Sequence, residues 1–162
     1  MVSVEITKFN NLLDEFLEKL ISKFNSKRLK IYRRSFIMLR KTLPNVPVNL
    51  FMAGCINYKQ EIISRNDLFF LRDEKMIERA KLFGNFTDDC GLDRHWDGLT
   101  YKTKTAIWDY IQSLFVFAEI IVNKNQETYA KYKNIYATDY KTEINNLNND
   151  KFSVDFLNKI NS

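Results

Sequence analysis

The side chains best suited to chemistry surround the only histidine of the chain, His95. Residues 88–97 hold this histidine, Cys90 and four aspartates. A cysteine nucleophile needs an adjacent base, which His95 could supply to Cys90. Zinc needs four nitrogen or sulfur ligands, and Cys55, Cys90 and His95 offer three without a characteristic spacing; a calcium loop needs alternating oxygen ligands and a downstream bidentate acid, which this segment lacks. We therefore expect no metal and no catalytic residue, and we expect the aspartates to cap turns and helices.

The glycines argue against a nucleotide site. Phosphate-binding loops need clustered glycines, whereas the four of this chain stand apart at Gly54, Gly84, Gly91 and Gly98. We therefore expect no cofactor, and no small-molecule substrate can be identified. An enzyme is the weaker class of function, and a protein that acts by binding is the stronger one.

A second group of residues is basic. Residues 27–41 contain seven lysines and arginines and no acidic residue. A cationic helix face can pair with phosphates and so bind nucleic acid without sequence preference. The alternatives are a solvated face, or one that pairs with the acidic residues at 14–18. The candidate contacts for nucleic acid are Lys27, Lys30, Arg33, Arg34, Arg40 and Lys41.

A third group is aromatic, with four tyrosines at spacings of three and four residues. Tyrosines at helical spacing usually pack on a core with their hydroxyls at its wet rim, which is the interpretation we favour. Base stacking beside Lys131, Lys133 and Lys141 is an alternative. A third interpretation, intermediate between these two, is that the tyrosines form a subunit interface. The tyrosines concerned are Tyr129, Tyr132, Tyr136 and Tyr140.

These groups must be positioned by helices, because 162 residues with only 4 glycines and 2 prolines leave few tight turns. Apolar residues recur at helical spacing over 5–24, over 27–43 after a Ser26 cap, and over 101–123 after a Thr100 cap. Residues 48–63 are also predicted to be helical, and 126–162 form Tyr/Lys/Asn-rich helices. The prediction is a single all-α domain over 1–162, a compact bundle of about five to seven helices around the central helix 101–123.

The net charge of +5 is unevenly distributed. Residues 1–81 hold 16 basic and 9 acidic residues, a net +7, whereas 82–162 hold 9 and 11, a net −2. The basic half permits an anionic partner. The start of the chain lacks the pattern of a secretion signal, and the apolar run 111–122 is too short to span a bilayer. We expect an intracellular protein that is not secreted and has no membrane span.

Three short motifs resemble a pattern in small uncharacterised proteins of nucleocytoplasmic large DNA viruses. They are Asp67-Leu68-Phe69-Phe70-Leu71, then Trp96-x-x-Leu99, then Ile107-Trp108-x-Tyr110-Ile111-x-x-Leu114. Ile111 stands where leucine is usual, and the likeness covers roughly residues 51–122. The resemblance implies a viral origin and presence in the host cytoplasm, the viral factory or the virion. It carries no activity and no catalytic residue.

Together these observations predict a non-enzymatic viral protein that acts by association with other viral proteins or with itself. The alternative is a nucleic-acid-binding accessory protein that uses the basic helix 27–41. A thiol-dependent enzyme at Cys90 and His95 is the third and weakest reading.

Overall fold

A computed structural model of the chain describes residues 3–67 and 95–132, and these residues form an all-α fold without strands. The all-α prediction is confirmed. The helices are α1 (Val4–Phe24), α2 (Lys27–Thr42), α3 (Val46–Cys55), α4 (Lys59–Ser64) and α5 (Tyr101–Lys124). Short 3₁₀ turns occupy Ile56–Tyr58 and Trp96–Gly98, and residues 126–132 are helical. The 68–71 motif, Cys90, Tyr136 and Tyr140 lie outside the described residues.

The helix starts follow from side chains that accept hydrogen bonds from otherwise unpaired backbone N–H groups. Ser26 Oγ accepts from the N–H of Leu29 at 3.2 Å, and Thr100 Oγ1 accepts from that of Thr103 at 3.2 Å, as the sequence predicts for both caps. Ser3 caps α1 in the same way at 3.1 Å. α1 ends at Asn25, which adopts the left-handed conformation with φ of 49°.

The prediction of one continuous helix over 48–63 is wrong. α3 begins two residues earlier, with Pro47 in its first turn, and ends at Cys55. The 3₁₀ turn Ile56–Tyr58 then leads into α4. This turn buries Tyr58 and leaves Ile56 at the surface. No proline or glycine occurs at 56–58, so residue type alone does not indicate the break.

α5 is the central helix, and it packs against α1 and α3. The ring of Phe16 stacks on that of Tyr110 with centroids 4.9 Å apart, and Phe9 meets Phe51 edge to face at 5.4 Å. Most apolar residues of α5 are buried, but Ala106, Val116 and Ile120 are exposed. The buried residues of α5 are Ile107, Trp108, Ile111, Leu114, Phe115, Ala118, Ile121 and Val122.

Among the described helices, α5 alone is long and apolar enough to cross a membrane, judged by length and composition. In the structure 44% of its most apolar window is buried within the protein. Core helices of compact proteins share this character, because a helix covered on most sides is apolar around most of its girth.

Candidate functional site

The thiol and imidazole candidates have different environments. Cys55 is fully buried, and burial raises the pKa of its thiol well above the usual value. His95 is exposed, and its ring stacks at 6.2 Å from that of Phe24. Within residues 3–67 and 95–132, no three His, Cys, Asp or Glu residues come together in a way that could hold a metal ion. A neutral, enclosed thiol is a poor nucleophile, so we assign Cys55 to the packing of the core.

The six basic residues singled out on α2 divide into two groups. Arg33 and Arg40 turn toward α1. Arg33 Nε donates to Asp14 Oδ1 at 2.9 Å, and its Nη2 donates to Glu18 Oε1 at 2.7 Å. These partners raise the pKa of the Arg33 guanidinium, chiefly through the hydrogen bond to Asp14. Pairing with the acidic residues at 14–18, one of the alternatives for the basic helix, thus holds for Arg33.

Arg40 also contacts α1 rather than the solvent-facing side of α2. Its guanidinium donates to the side-chain oxygen of Asn11 and, at 3.5 Å, to the backbone oxygen of Asn10. Asn10 is itself buried and donates from Nδ2 to the carbonyl of Pro44 at 3.0 Å. Arg40 therefore belongs to the packing of α1 against the end of α2.

The other four basic residues lie along one outer face of α2, which we call the basic stripe: Lys27, Lys30, Arg34 and Lys41. All four are exposed. At ~100° per residue they fall within about 60° of one another around the helix axis. The stripe is about 21 Å long at 1.5 Å per residue. Lys30 Nζ is held at 2.9 Å by Asn25 Oδ1, an uncharged partner, and α2 contains no acidic residue.

Met38 interrupts the stripe with an apolar side chain that is 62% exposed. Ile31 and Ile37 of the same helix are half-buried. α2 therefore buries one side and presents cations with a single methionine on the other.

Of the four tyrosines in the predicted stripe, the structure describes Tyr129 and Tyr132, and both pack on the core. Tyr132 is 1% exposed and joins Leu39 and Val46 in a small apolar cluster, with Leu43 and Leu50 beside it. Burial raises the pKa of Tyr132 to about 12. Tyr129 is half-buried, and burial raises the pKa of its hydroxyl as well. The ring of Tyr132 is covered by residues of the chain itself, which agrees with the core interpretation of this stripe.

The sequence did not indicate a group of exposed apolar side chains on α5, on α4 and on the 3₁₀ turn before α4, which we call the apolar seam. Four of the seven large apolar side chains exposed among the described residues belong to it: Ile56, Ile63, Val116 and Ile120. α4 is fixed along α5 by ion pairs between Lys59 and Glu119 at 2.7 Å and between Arg65 and Asp109 at 2.5 Å. The charges at the border of the seam are thus paired with one another.

The turn after α4 holds this seam in register. Arg65 adopts the left-handed conformation with φ of 53°, which ends the helix and directs its side chain to α5. Its Nε donates to Gln112 Oε1 at 3.0 Å, while Gln112 Nε2 donates to the carbonyl of Ile62 at 2.9 Å. Trp108 Nε1 reaches Asp67 Oδ1 at 3.5 Å. The exposed position of Val116 could have been found from its angle to Ile111 and Leu114 around α5.

Comparison with known proteins finds no match to this chain. No family model matches the chain, and neither a curated protein nor a solved structure matches it. The structure defines an all-α protein that carries a basic stripe on α2 and an apolar seam along α4 and α5.

Proposed function

We propose that this protein is a non-enzymatic binding protein whose basic stripe contacts the phosphate backbone of nucleic acid without sequence preference. The observation that carries the proposal is the exposure of four cations along one face of α2. The sequence predicts two surface functions, protein association and nucleic-acid binding. The exposure and alignment of the four cations support nucleic-acid binding more directly. The resemblance to proteins of large DNA viruses supports a viral origin and action in the viral factory or virion as part of the same proposal.

The stripe has the reach and charge for such a contact. Duplex DNA carries one phosphate charge per ~1.7 Å of helix axis, so a rod of about 21 Å passes several phosphates. Arginine and lysine side chains bind these charges and release the counterions that surround the nucleic acid. Arg33, which is not part of the stripe, offsets one of the two acidic charges of Asp14 and Glu18, so these carboxylates of α1 repel the phosphates less than unpaired ones would.

The proposal predicts a definite salt dependence. Four phosphate contacts give a slope of log K against log salt of about −3.6, so duplex affinity should fall roughly a hundredfold between about 50 and 200 mM salt. The variant K30E/K41E should lower the affinity at least tenfold and reduce the slope by about 2, since each lost cation removes close to one unit. Fluorescence anisotropy with a labelled duplex of random sequence measures both.

The matched control is K8E/K102E, which changes the net charge equally at exposed lysines outside the basic stripe. It should keep most of the affinity and the slope. Equal losses in the two variants would show that net charge, and not the stripe, attracts the duplex. Unchanged binding in K30E/K41E, with the helical circular dichroism intact, would contradict the proposal.

A second candidate function is self-association through the apolar seam. The seam is apolar and its bordering charges are already paired, so it suits a neutral apolar surface better than a charged polymer. A second copy of this chain offers such a surface, because a two-fold dimer places the same patch on both subunits. Exposed apolar side chains gathered in one place mark interaction surfaces more often than scattered ones do.

This candidate predicts a dimer whose fraction rises with protein concentration in sedimentation velocity experiments. V116K/I120K should shift the chain to monomer, because each lysine places an uncompensated charge in the contact. M38K changes an exposed apolar side chain on α2 and should leave the dimer unchanged. A chain that stays monomeric at all concentrations, or a dimer that V116K/I120K does not weaken, would refute self-association through the seam.

A further inference from the structure

A cavity of about 380 Å³ lies between α1 and α5. Its volume is within the range of ~300–1,000 Å³ that is usual for small-molecule sites. The floor is apolar: Phe16, Leu20 and Ile107 are buried, and Phe24 and Tyr110 are half-buried. Three lysines, Thr103 and Ala106 complete the lining, and none of the lining residues is acidic.

The two helices run antiparallel along this cavity. Phe16 stacks on Tyr110, and at the far end of the same helices Lys124 Nζ pairs with Glu5 Oε1 at 2.9 Å. The cavity wall on α1 extends from Phe16 to Phe24, about 12 Å at 1.5 Å per residue. The space is therefore long and narrow and follows the helix axes.

The charge in the cavity is polarised. Antiparallel register places Lys23, near the end of α1, beside Lys102, near the start of α5. Both are exposed and line the cavity. The positive end of the α5 macrodipole and the negative end of the α1 macrodipole both lie on this side, so the two lysines determine its charge. The opposite end consists of Phe16 and Tyr110, whose hydroxyl donates to Glu15 at 2.9 Å.

The third lysine, Lys19, lies between these ends. Its Nζ is 5.3 Å from the centre of the Tyr110 ring and 3.6 Å from Glu15 Oε1. Lys19 is thus occupied by an acid and a ring face, and it covers the aromatic end of the cavity. The cationic end depends on Lys23 and Lys102.

A second cavity of about 390 Å³ continues past this cationic end. It shares Lys23 and Phe24 with the first and is otherwise lined by His95, Gly98 and Leu99. His95, whose ring stacks on that of Phe24, lines only this second cavity and therefore lies at the border of the first.

We propose that the α1–α5 cavity binds a single-chain anionic amphiphile of the fatty acid type. The hydrocarbon chain lies along the floor toward Phe16 and Tyr110, and the carboxylate lies between Lys23 and Lys102. Linear shape, apolar floor and cations at one end together favour this ligand over a compact polar one. The site is separate from the basic stripe and from the apolar seam, so the inference does not depend on either proposed function.

The experiment uses laurate below its critical micelle concentration, titrated into the full chain by calorimetry. We expect saturable binding of one laurate per chain, at least tenfold tighter than binding of dodecyltrimethylammonium, which has the same chain length and the opposite charge. Acetate, which carries the head group alone, should not bind detectably. Equal affinities for the two amphiphiles would overturn the assignment of the cationic end.

Two variants locate the site. Ala106 is exposed and lines the cavity, so A106W should fill the space without loss of fold and weaken laurate binding at least tenfold. K23Q/K102Q should weaken laurate about tenfold and leave dodecyltrimethylammonium no weaker, whereas K8Q/K131Q should change neither. Laurate binding that survives both A106W and K23Q/K102Q would place the ligand elsewhere and refute the proposal, as would the absence of binding to the unmodified chain.

Discussion

Replacing Trp96 with alanine should lower the free energy of unfolding by about 3–5 kcal/mol, the range for truncation of a large buried aromatic side chain. Trp96 is fully buried, and its ring meets that of Trp108 edge to face at 6.2 Å. Lys104 Nζ lies 5.5 Å from the ring centre on the cation–π side. Truncation would remove these contacts and leave a cavity against α5.

Chemical denaturation followed by circular dichroism measures this loss. Y101A is the matched control, since Tyr101 is an aromatic residue close in sequence but is 86% exposed. It should cost less than about 0.5 kcal/mol, as surface substitutions usually do. A loss in W96A no larger than in Y101A would show that the 3₁₀ turn Trp96–Gly98 is not anchored to α5 as described.

The sequence was sufficient to predict α1, α2 and α5, because each has a long apolar periodicity and a Ser or Thr at its start. Such signals are local, and the caps at Ser26 and Thr100 act within one helical turn. The break between α3 and α4 could not be predicted in this way. Residues 48–63 are apolar on several sides, and the 3₁₀ turn at Ile56–Tyr58 contains no residue that breaks helices.

The candidate surfaces depend on tertiary packing more than the helices do, so the sequence predicts them less completely. The sequence places Arg33 and Arg40 among the candidate contacts for nucleic acid, but only the crossing of α1 and α2 brings Asp14 to Arg33. The same crossing leaves the basic stripe outside. The α1–α5 cavity could not be predicted, because the residues that form its wall, such as Phe16 and Tyr110, are far apart in the chain.

The apolar seam shows a further limit of composition. Val116 lies in the apolar run 111–122 of the central helix, and an apolar residue in such a run is usually buried. It is 55% exposed, because α4 covers a neighbouring strip of α5 and is held there by Arg65 and Lys59. The angle of Val116 from Ile111 and Leu114 around α5 indicates this exposure, whereas the position of α4 on α5 is set by these polar contacts and is not encoded by the periodicity of α5.

Cys55 should be protected from thiol reagents in the folded protein by at least about a thousandfold. Its side chain has no exposed surface, so a reagent gains access only when the chain opens, and domains with ~5–15 kcal/mol of stability rarely open. Its raised pKa adds to this protection, because the thiol stays protonated at pH values where an exposed cysteine forms the reactive thiolate. Labelling is best followed in a C90A background, in which Cys55 is the only thiol.

The pH dependence separates burial from slow chemistry. A model thiol labels faster as pH rises from about 7 to 9, since its pKa is about 8.5. Cys55 should show little of this increase in the folded chain and the full increase in denaturant. Because the folded pKa is raised, the associated stability is complete at neutral pH and decreases as pH rises above the unfolded value. Rapid labelling at pH 7 that follows the ordinary thiolate curve would contradict the placement of Cys55 in the core. Cys55 would then again be a candidate for a reactive or metal-binding thiol.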